Sequence, residues 1–209
     1  MGITRKDRGK HVLGAVRTRQ VKKAAMEDLR YGKYPLRDIW KEVQAAAVDA
    51  VLDSTALLDG EYQTITVGIT SPNAFRVLSV TGDDAGIDGE VVIAGEDWAG
   101  NVIEETITAD GTNTVAGEIP FFEVTSITLP PQNTAGDEIS VGVVDVFGLT
   151  RPIEEAADVI WVGIGVALTP GAPEFEEPAA VDVANRAVTL ATAVTADDTI
   201  TIEYYANEF

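Results

Sequence analysis

The stretch Glu90-Val91-Val92-Ile93-Ala94-Gly95-Glu96-Asp97-Trp98-Ala99-Gly100-Asn101-Val102-Ile103-Glu104-Glu105-Thr106-Ile107 decides the class of fold. β-branched residues dominate the two runs Gly89–Ala94 and Asn101–Ala109, and Ala99-Gly100 between them reads as a hairpin turn. Outward from this pair the same style recurs at Phe75–Val80, Phe121–Leu129 and Glu138–Val146, with Asp110-Gly111 as a second expected hairpin turn. Upstream, Tyr62–Ile69 alternates with a period of two, Ile65, Val67 and Ile69 on one side and threonines on the other. Short strands at near-regular spacing predict an antiparallel β-sandwich or barrel.

The flanks divide the rest of the chain. Gly148–Glu155, with Pro152, reads as a joint, and a second β group over 151–209 follows, with strands at Val159–Leu168, Ala179–Val183, Ala187–Leu190 and Thr199–Tyr205. Thr169–Pro178 carries three prolines, a glycine and three glutamates, the composition of an exposed loop. Before the 59–150 β domain, residues 35–58 read as an amphipathic helix and linker. Pro35 suits a first turn, and Leu36, Ile39, Trp40, Val43, Ala47, Ala50 and Val51 recur at spacings of three and four, opposite Arg37, Asp38, Lys41, Glu42 and Asp49. Residues 1–34 read as a basic extended or helical arm, too sparse in apolar residues to bury much alone. The expected architecture is therefore mainly β, antiparallel sandwich or barrel modules preceded by a basic N-terminal arm and one amphipathic helix.

Charge is divided along the chain. The 209 residues carry a formal charge of −19. Residues 1–41 hold twelve Lys/Arg and four Asp/Glu, a balance of +8; residues 42–209 hold three basic residues (Arg76, Arg151, Arg186) and thirty acids, a balance of −27. A body with ten acids per base repels itself at low salt, and salt removes most of that cost because the Debye length falls to about 3 Å at 1 M. Few lysines, many acids and many Ala, Val and Thr resemble proteins of salt-loving archaea; an ordinary acidic protein that avoids nucleic acid is the alternative. The absence of cysteine excludes disulfides, thiolate metal sites and a cysteine nucleophile. No apolar run approaches the roughly 20 residues of a membrane helix, and the basic N-terminus lacks the pattern of a signal peptide, so no membrane association is expected.

Residues able to do chemistry are few. His11, the only histidine, lies in the basic arm, which takes His-based triads and His-rich metal sites away from the β body. No Gly-rich strand–turn–helix motif is present, and Gly163 and Gly165 sit inside a strand-like run. The pairs Glu104-Glu105, Glu154-Glu155 and Glu176-Glu177 do not converge as acid–base dyads, because neighbours on a strand point to opposite faces. Asp83, Asp84, Asp88 and Glu90 gather oxygen ligands around glycines and form the one weak Ca²⁺ or Mg²⁺ candidate, without EF-hand spacing; an acidic solvated loop is the competing reading. Trp98 and Trp161 read either as core residues or as sugar-stacking platforms. No catalytic residue and no cofactor is assigned.

The segments Ser71–Val80, Gly89–Ile107, Phe121–Pro130 and Gly136–Gly142 follow the pattern Gly-x-Val-x-Ile-x-Gly-x-Asp-x-x-Gly-Asn, then Glu-x-Ile, then Phe-x-x-Val-x-Ser-Ile, then a closing Val-Gly. This resembles β-rich structural proteins of the virions of tailed viruses and prophages, over a third to a half of the chain. The resemblance implies a virion location and a decoration or cement role on the capsid, with the major capsid protein or other virion proteins as partners and a homo-oligomer in the assembled particle. The residues expected to hold a partner are Arg5, Lys6, Arg8, Lys10, Arg17, Arg19, Lys22 and Lys23 of the arm, with Tyr31, Tyr34 and Trp40 as aromatic anchors. Nucleic acid is not the expected partner of the acidic body, and contact with it is open only to the basic arm. A head–tail connector or tail-tube component and a surface carbohydrate-binding module are the alternatives.

Overall fold

The computed structural model describes residues 33–166 and 174–207. Fourteen strands are present among them: β1 (Lys33–Val43), β2 (Ala47–Ala56), β3 (Gln63–Ile65), β4 (Arg76–Gly82), β5 (Glu90–Glu96), β6 (Val102–Thr108), β7 (Val115–Phe121), β8 (Glu123–Leu129), β9 (Glu138–Gly148), β10 (Val159–Val166), β11 (Glu174–Glu176), β12 (Ala180–Asp182), β13 (Ala187–Thr189) and β14 (Asp198–Asn207). A 3-10 turn, Ala156–Asp158, precedes β10. The protein is mainly β, as its β-branched runs require.

The strands form three antiparallel sheets. The first has the order β1-β14-β10-β11, the second β12-β13-β9-β4-β7, and the third β3-β8-β5-β6. Strand β2 lies along β9 beside the Glu138–Val143 half, and β13 pairs with the Val146–Gly148 half of the same strand. One apolar core fills the space between the second and third sheets, with Leu78, Val80, Val91, Ile93, Ile127, Ile139 and Val141 at its centre. A second core lies under the first sheet and collects Trp40, Val43, Phe75, Phe147, Leu149, Val162, Ile200, Ile202 and Tyr204. The 11-residue β9 serves both, with Ile139, Val141 and Val143 in one core and Phe147 in the other. Gly142 lets β2 cross this strand closely: a Cβ there would lie 1.9 Å from the carbonyl oxygen of Ala47.

The amphipathic helix expected within 35–58 is overturned, because that segment forms β1 and β2. From Leu36 to Trp40 the side chains alternate, with Asp38 and Trp40 buried and Pro35, Arg37 and Ile39 exposed. The helical stripe depended on counting Ile39 with Trp40 and placing Asp38 in water. In the structure Ile39 is half exposed, and Asp38 is buried against hydrogen-bond donors from Thr150 and Tyr204. A bulge between Trp40 and Val43, with Glu42 at φ 53°, resets the register and produced the three-and-four spacing. Pairing with β14, some 165 residues away, then outweighs local helical preference.

Two smaller expectations are also corrected. Ala99-Gly100 does turn the β5–β6 hairpin, with Gly100 at φ 78°. Asp110-Gly111 does not join paired strands, because β6 belongs to the third sheet and β7 to the second; the turn carries the chain between them. Of Tyr62–Ile69 only Gln63–Ile65 is a strand, and Gly68 at φ 76° turns the backbone away beyond it. Strand β7 has no counterpart among the expected strands: Gly117 and Pro120 argue against a strand interior, and the structure accommodates them on a sheet edge.

Candidate functional site

Arg5, Lys6, Arg8, Lys10, Arg17, Arg19, Lys22, Lys23 and Tyr31, together with His11 and the rest of 1–32, lie outside the described residues. Of the expected docking residues, Tyr34 is half-buried at the start of β1. Trp40 faces the second core and is 7% exposed, so its ring reaches a partner only through what covers it.

What covers it is Trp98. Its indole packs edge-to-face on Trp40, centroids 5.0 Å apart at 81°, and on Phe122 at 4.8 Å and 85°. Trp98 stands at the tip of the β5–β6 hairpin and remains 46% exposed, with Phe122 at 38%. Asp97 ties together the turn that carries the ring. Asp97 Oδ1 accepts the backbone N–H groups of Ala99 (2.8 Å) and Asn101 (3.0 Å), its Oδ2 accepts the Asn101 side-chain amide (3.0 Å), and Arg186 lies 3.6 Å away. Burial pushes the Asp97 carboxyl up, but these hydrogen bonds and Arg186 together hold it below the ordinary carboxylate range. The result is a partly exposed aromatic patch where β1 of the first sheet meets the β5–β6 hairpin of the third.

A second feature lies between β6 and β7. Each is the last strand of its sheet, so the two edges face each other without a shared backbone ladder. Glu105 bridges them: Oε1 accepts the N–H groups of Glu118 and Ile119, the latter at 3.1 Å. Along β6, Glu105 takes the inward side between Ile103 and Ile107, while Glu104 points out. The Glu105 residue is 9% exposed, and its Oε2 has no hydrogen-bond partner. Burial, and then the nearby Glu118 carboxylate, push its pKa up against the two backbone hydrogen bonds. Gly117 sits directly over this carboxylate; a Cβ there would fall 2.3 Å from Oε2. The cleft so formed measures about 520 Å³ and is lined by three carboxylates, Glu104, Glu105 and Glu118, with no basic side chain. The sequence signal for Glu105 was an acid in the inward phase of an alternating strand.

Two carboxylates of the expected cation loop serve the backbone, and the other two do not. Asp83 accepts the Glu138 N–H at 2.8 Å, Asp84 accepts that of Gly86 at 2.8 Å, and Asp88 accepts the Asn133 side-chain amide at 2.9 Å, while Glu90 is exposed on β5. Among the described residues no group of three His, Cys, Asp or Glu side chains stands close enough to hold a metal ion. Glu154 and Glu155 flank Lys33, whose Nζ donates to Asp158 at 2.7 Å, and Glu176 accepts the N–H groups of Ala191 and Thr192. Arg37 stacks its guanidinium 5.4 Å from the centre of the Trp161 ring. Among the described residues no helix is long and apolar enough to cross a membrane.

Comparison of the chain with known protein families, with curated proteins and with solved structures gives no match. What the described residues define is an antiparallel β protein with an aromatic patch and an acidic edge-strand cleft.

Proposed function

We propose that this chain is a structural protein of a virion, a capsid decoration or cement subunit that ties neighbouring chains together through its basic N-terminal arm. The observation that carries this reading is the division of charge between arm and body. Of the three basic residues after residue 41, Arg76 is fully buried and paired with Asp145, and Arg186 lies against Asp97, so they offer little cationic surface. Strand β1 adds Lys33, Arg37 and Lys41, but acids still outnumber bases thirty to six over residues 33–207, which makes the body a counter-surface for the arm of a neighbour. The resemblance to β-rich virion proteins agrees with an antiparallel body, and repetition over a shell turns modest contacts into large total stabilisation.

The Trp98–Phe122 patch supplies a second contact, of the aromatic type that anchors protein interfaces. The test is deletion of residues 1–32 followed by measurement of particle association and of particle resistance to heat. Loss of both supports the reading; unchanged association removes it. A connector or tail-tube role would show instead as rings or filaments formed by the purified protein in high salt. The exposure of Trp98 at a hairpin tip favours one reading from another class, a carbohydrate-binding module. Glycan binding abolished by Trp98→Ala would select it.

A further inference from the structure

We infer that the β6–β7 cleft is the receptor for the basic arm of a second copy of this chain, with Arg5–Lys10 as the seated segment. The inference rests on the arm-docking reading above and names the site that reading lacks.

Three observations point to a ligand there. The cleft is flanked by two sheet edges, β6 and β7, whose outer backbone groups form no ladder with each other. Glu105 already holds two of those groups on β7, the N–H groups of Glu118 and Ile119, so an occupant lies over the groove and is held mainly by its side chains. The floor carries the Glu105 Oε2, buried beneath Gly117 and without a hydrogen-bond partner. A buried carboxylate left with one unsatisfied oxygen is costly, and positive charge seated over the groove relieves the cost. The rims carry Glu104 and Glu118, and no basic side chain lines the cleft.

The occupant follows from charge and from chain direction. Beyond residue 41 the chain has only three basic residues, so a cationic segment long enough to fill the cleft exists only in the arm. There Lys6, Arg8 and Lys10 recur at a spacing of two, which on an extended chain places all three on one side. Strand β1 runs from Lys33 toward Trp40, and Trp40 is the residue that touches Trp98 at the tip of the β5–β6 hairpin. Its start at Lys33 lies about 23 Å along the strand from that contact. That start is pinned by Asp158, Glu154 and Glu155 around Lys33. The arm thus joins the body at the end of β1 away from the β5–β6 hairpin, which favours the cleft of a neighbour. Mutual exchange closes as a two-fold pair.

The absence of cysteine makes the test direct. Full-length Arg8→Cys protein is mixed with full-length Thr106→Cys protein, Thr106 being exposed on β6, and mildly oxidised. Val67→Cys is the control, since Val67 is 80% exposed and adjoins β3, at the opposite edge of the third sheet from β6. The expected result is a disulfide-linked dimer of Arg8→Cys with Thr106→Cys and not with Val67→Cys. Its yield should fall about tenfold when Glu104→Lys and Glu118→Lys are added to the receiving chain. No dimer, or equal yield at Val67, overturns the inference. So does a disulfide that forms only within single chains carrying both Arg8→Cys and Thr106→Cys. If deletion of 1–32 abolishes particle association while the cross-link fails, the cleft is wrong and the arm reading stands; if association survives the deletion, the arm reading itself falls.

Discussion

The Tyr204 hydroxyl on β14 donates to Asp38 Oδ2 on β1 at 3.0 Å, joining residues 166 positions apart in the second core. Thr150 completes the network, its N–H reaching Oδ2 and its hydroxyl Oδ1, both at 2.8 Å. Burial, and the Asp38 charge, push the Tyr204 phenol above its ordinary value, so it stays a proton donor well into alkaline solution. Tyr204→Phe is expected to lower stability by about 1.5–3 kcal/mol, the range for a hydrogen bond to a charged group. Asp38→Ala should cost more, because it removes the acceptor of three donors, only one of which can turn to the Thr150–Tyr204 hydroxyl contact. Urea denaturation checks both, with a lower midpoint and an unchanged slope.

Arg76 is a buried cation that staples three elements. Its guanidinium donates to the Val144 carbonyl (2.8 and 3.0 Å), to Gln44 O (2.7 Å) and to Asp145 Oδ1 (2.8 Å), and it lies 4.8 Å from the centre of the Phe147 ring. Burial is the largest influence on it and pushes its pKa down to about 10, against the pull of Asp145. Arg76→Ala is expected to cost about 3–5 kcal/mol, the loss typical when one partner of a buried pair is removed. Arg76→Met, which keeps the volume, should recover part of that. Thermal unfolding of the two variants beside the parent decides the point.

Glu105 makes stability depend on pH in the direction opposite to Asp97 and to Asp158, whose carboxyl burial pushes up but Lys33 and two backbone N–H groups hold below the ordinary range. Its folded pKa is raised above the ordinary 4.5. Its contribution is therefore fully present below about 4.5 and is lost as pH rises through the raised folded value. Glu105→Gln, which keeps an acceptor for the Glu118 and Ile119 N–H groups, is expected to unfold later than the parent at pH 8, by about 1 kcal/mol. The gap should close at pH 4. Denaturation at both pH values reads the difference, and a gap that widens toward acid contradicts the account.

Trp98 is half exposed, so its removal separates stability from association. Trp98→Ala gives up edge-to-face contacts with Trp40 and Phe122, worth about 0.5–1.5 kcal/mol each beyond area burial. A modest loss of stability should accompany a much larger loss of partner binding. Calorimetric unfolding and a particle-association assay on the same variant measure the two effects side by side.

The β-branched runs with turn residues between them determined that the chain is mainly β, and they located the β5–β6 hairpin at Ala99-Gly100. Alternation is a local property, so it survives reading one residue at a time. The charge division was equally legible. Three things were not. Asp38 occupies an inward position because Thr150 and Tyr204 meet it there, and nothing near residue 38 announces those partners; with the β1 bulge, this made a strand resemble a helix. Strand β7 was hidden by Gly117 and Pro120, residues a central strand rejects and a sheet edge accepts. The acidic cleft exists only because two edges from different sheets come to face each other, and edge status is decided by sheet order. Sequence sets what each strand prefers to bury, but long-range pairing decides which strand lies beside which, and therefore where edges, bridging carboxylates and exposed aromatic rings are left over.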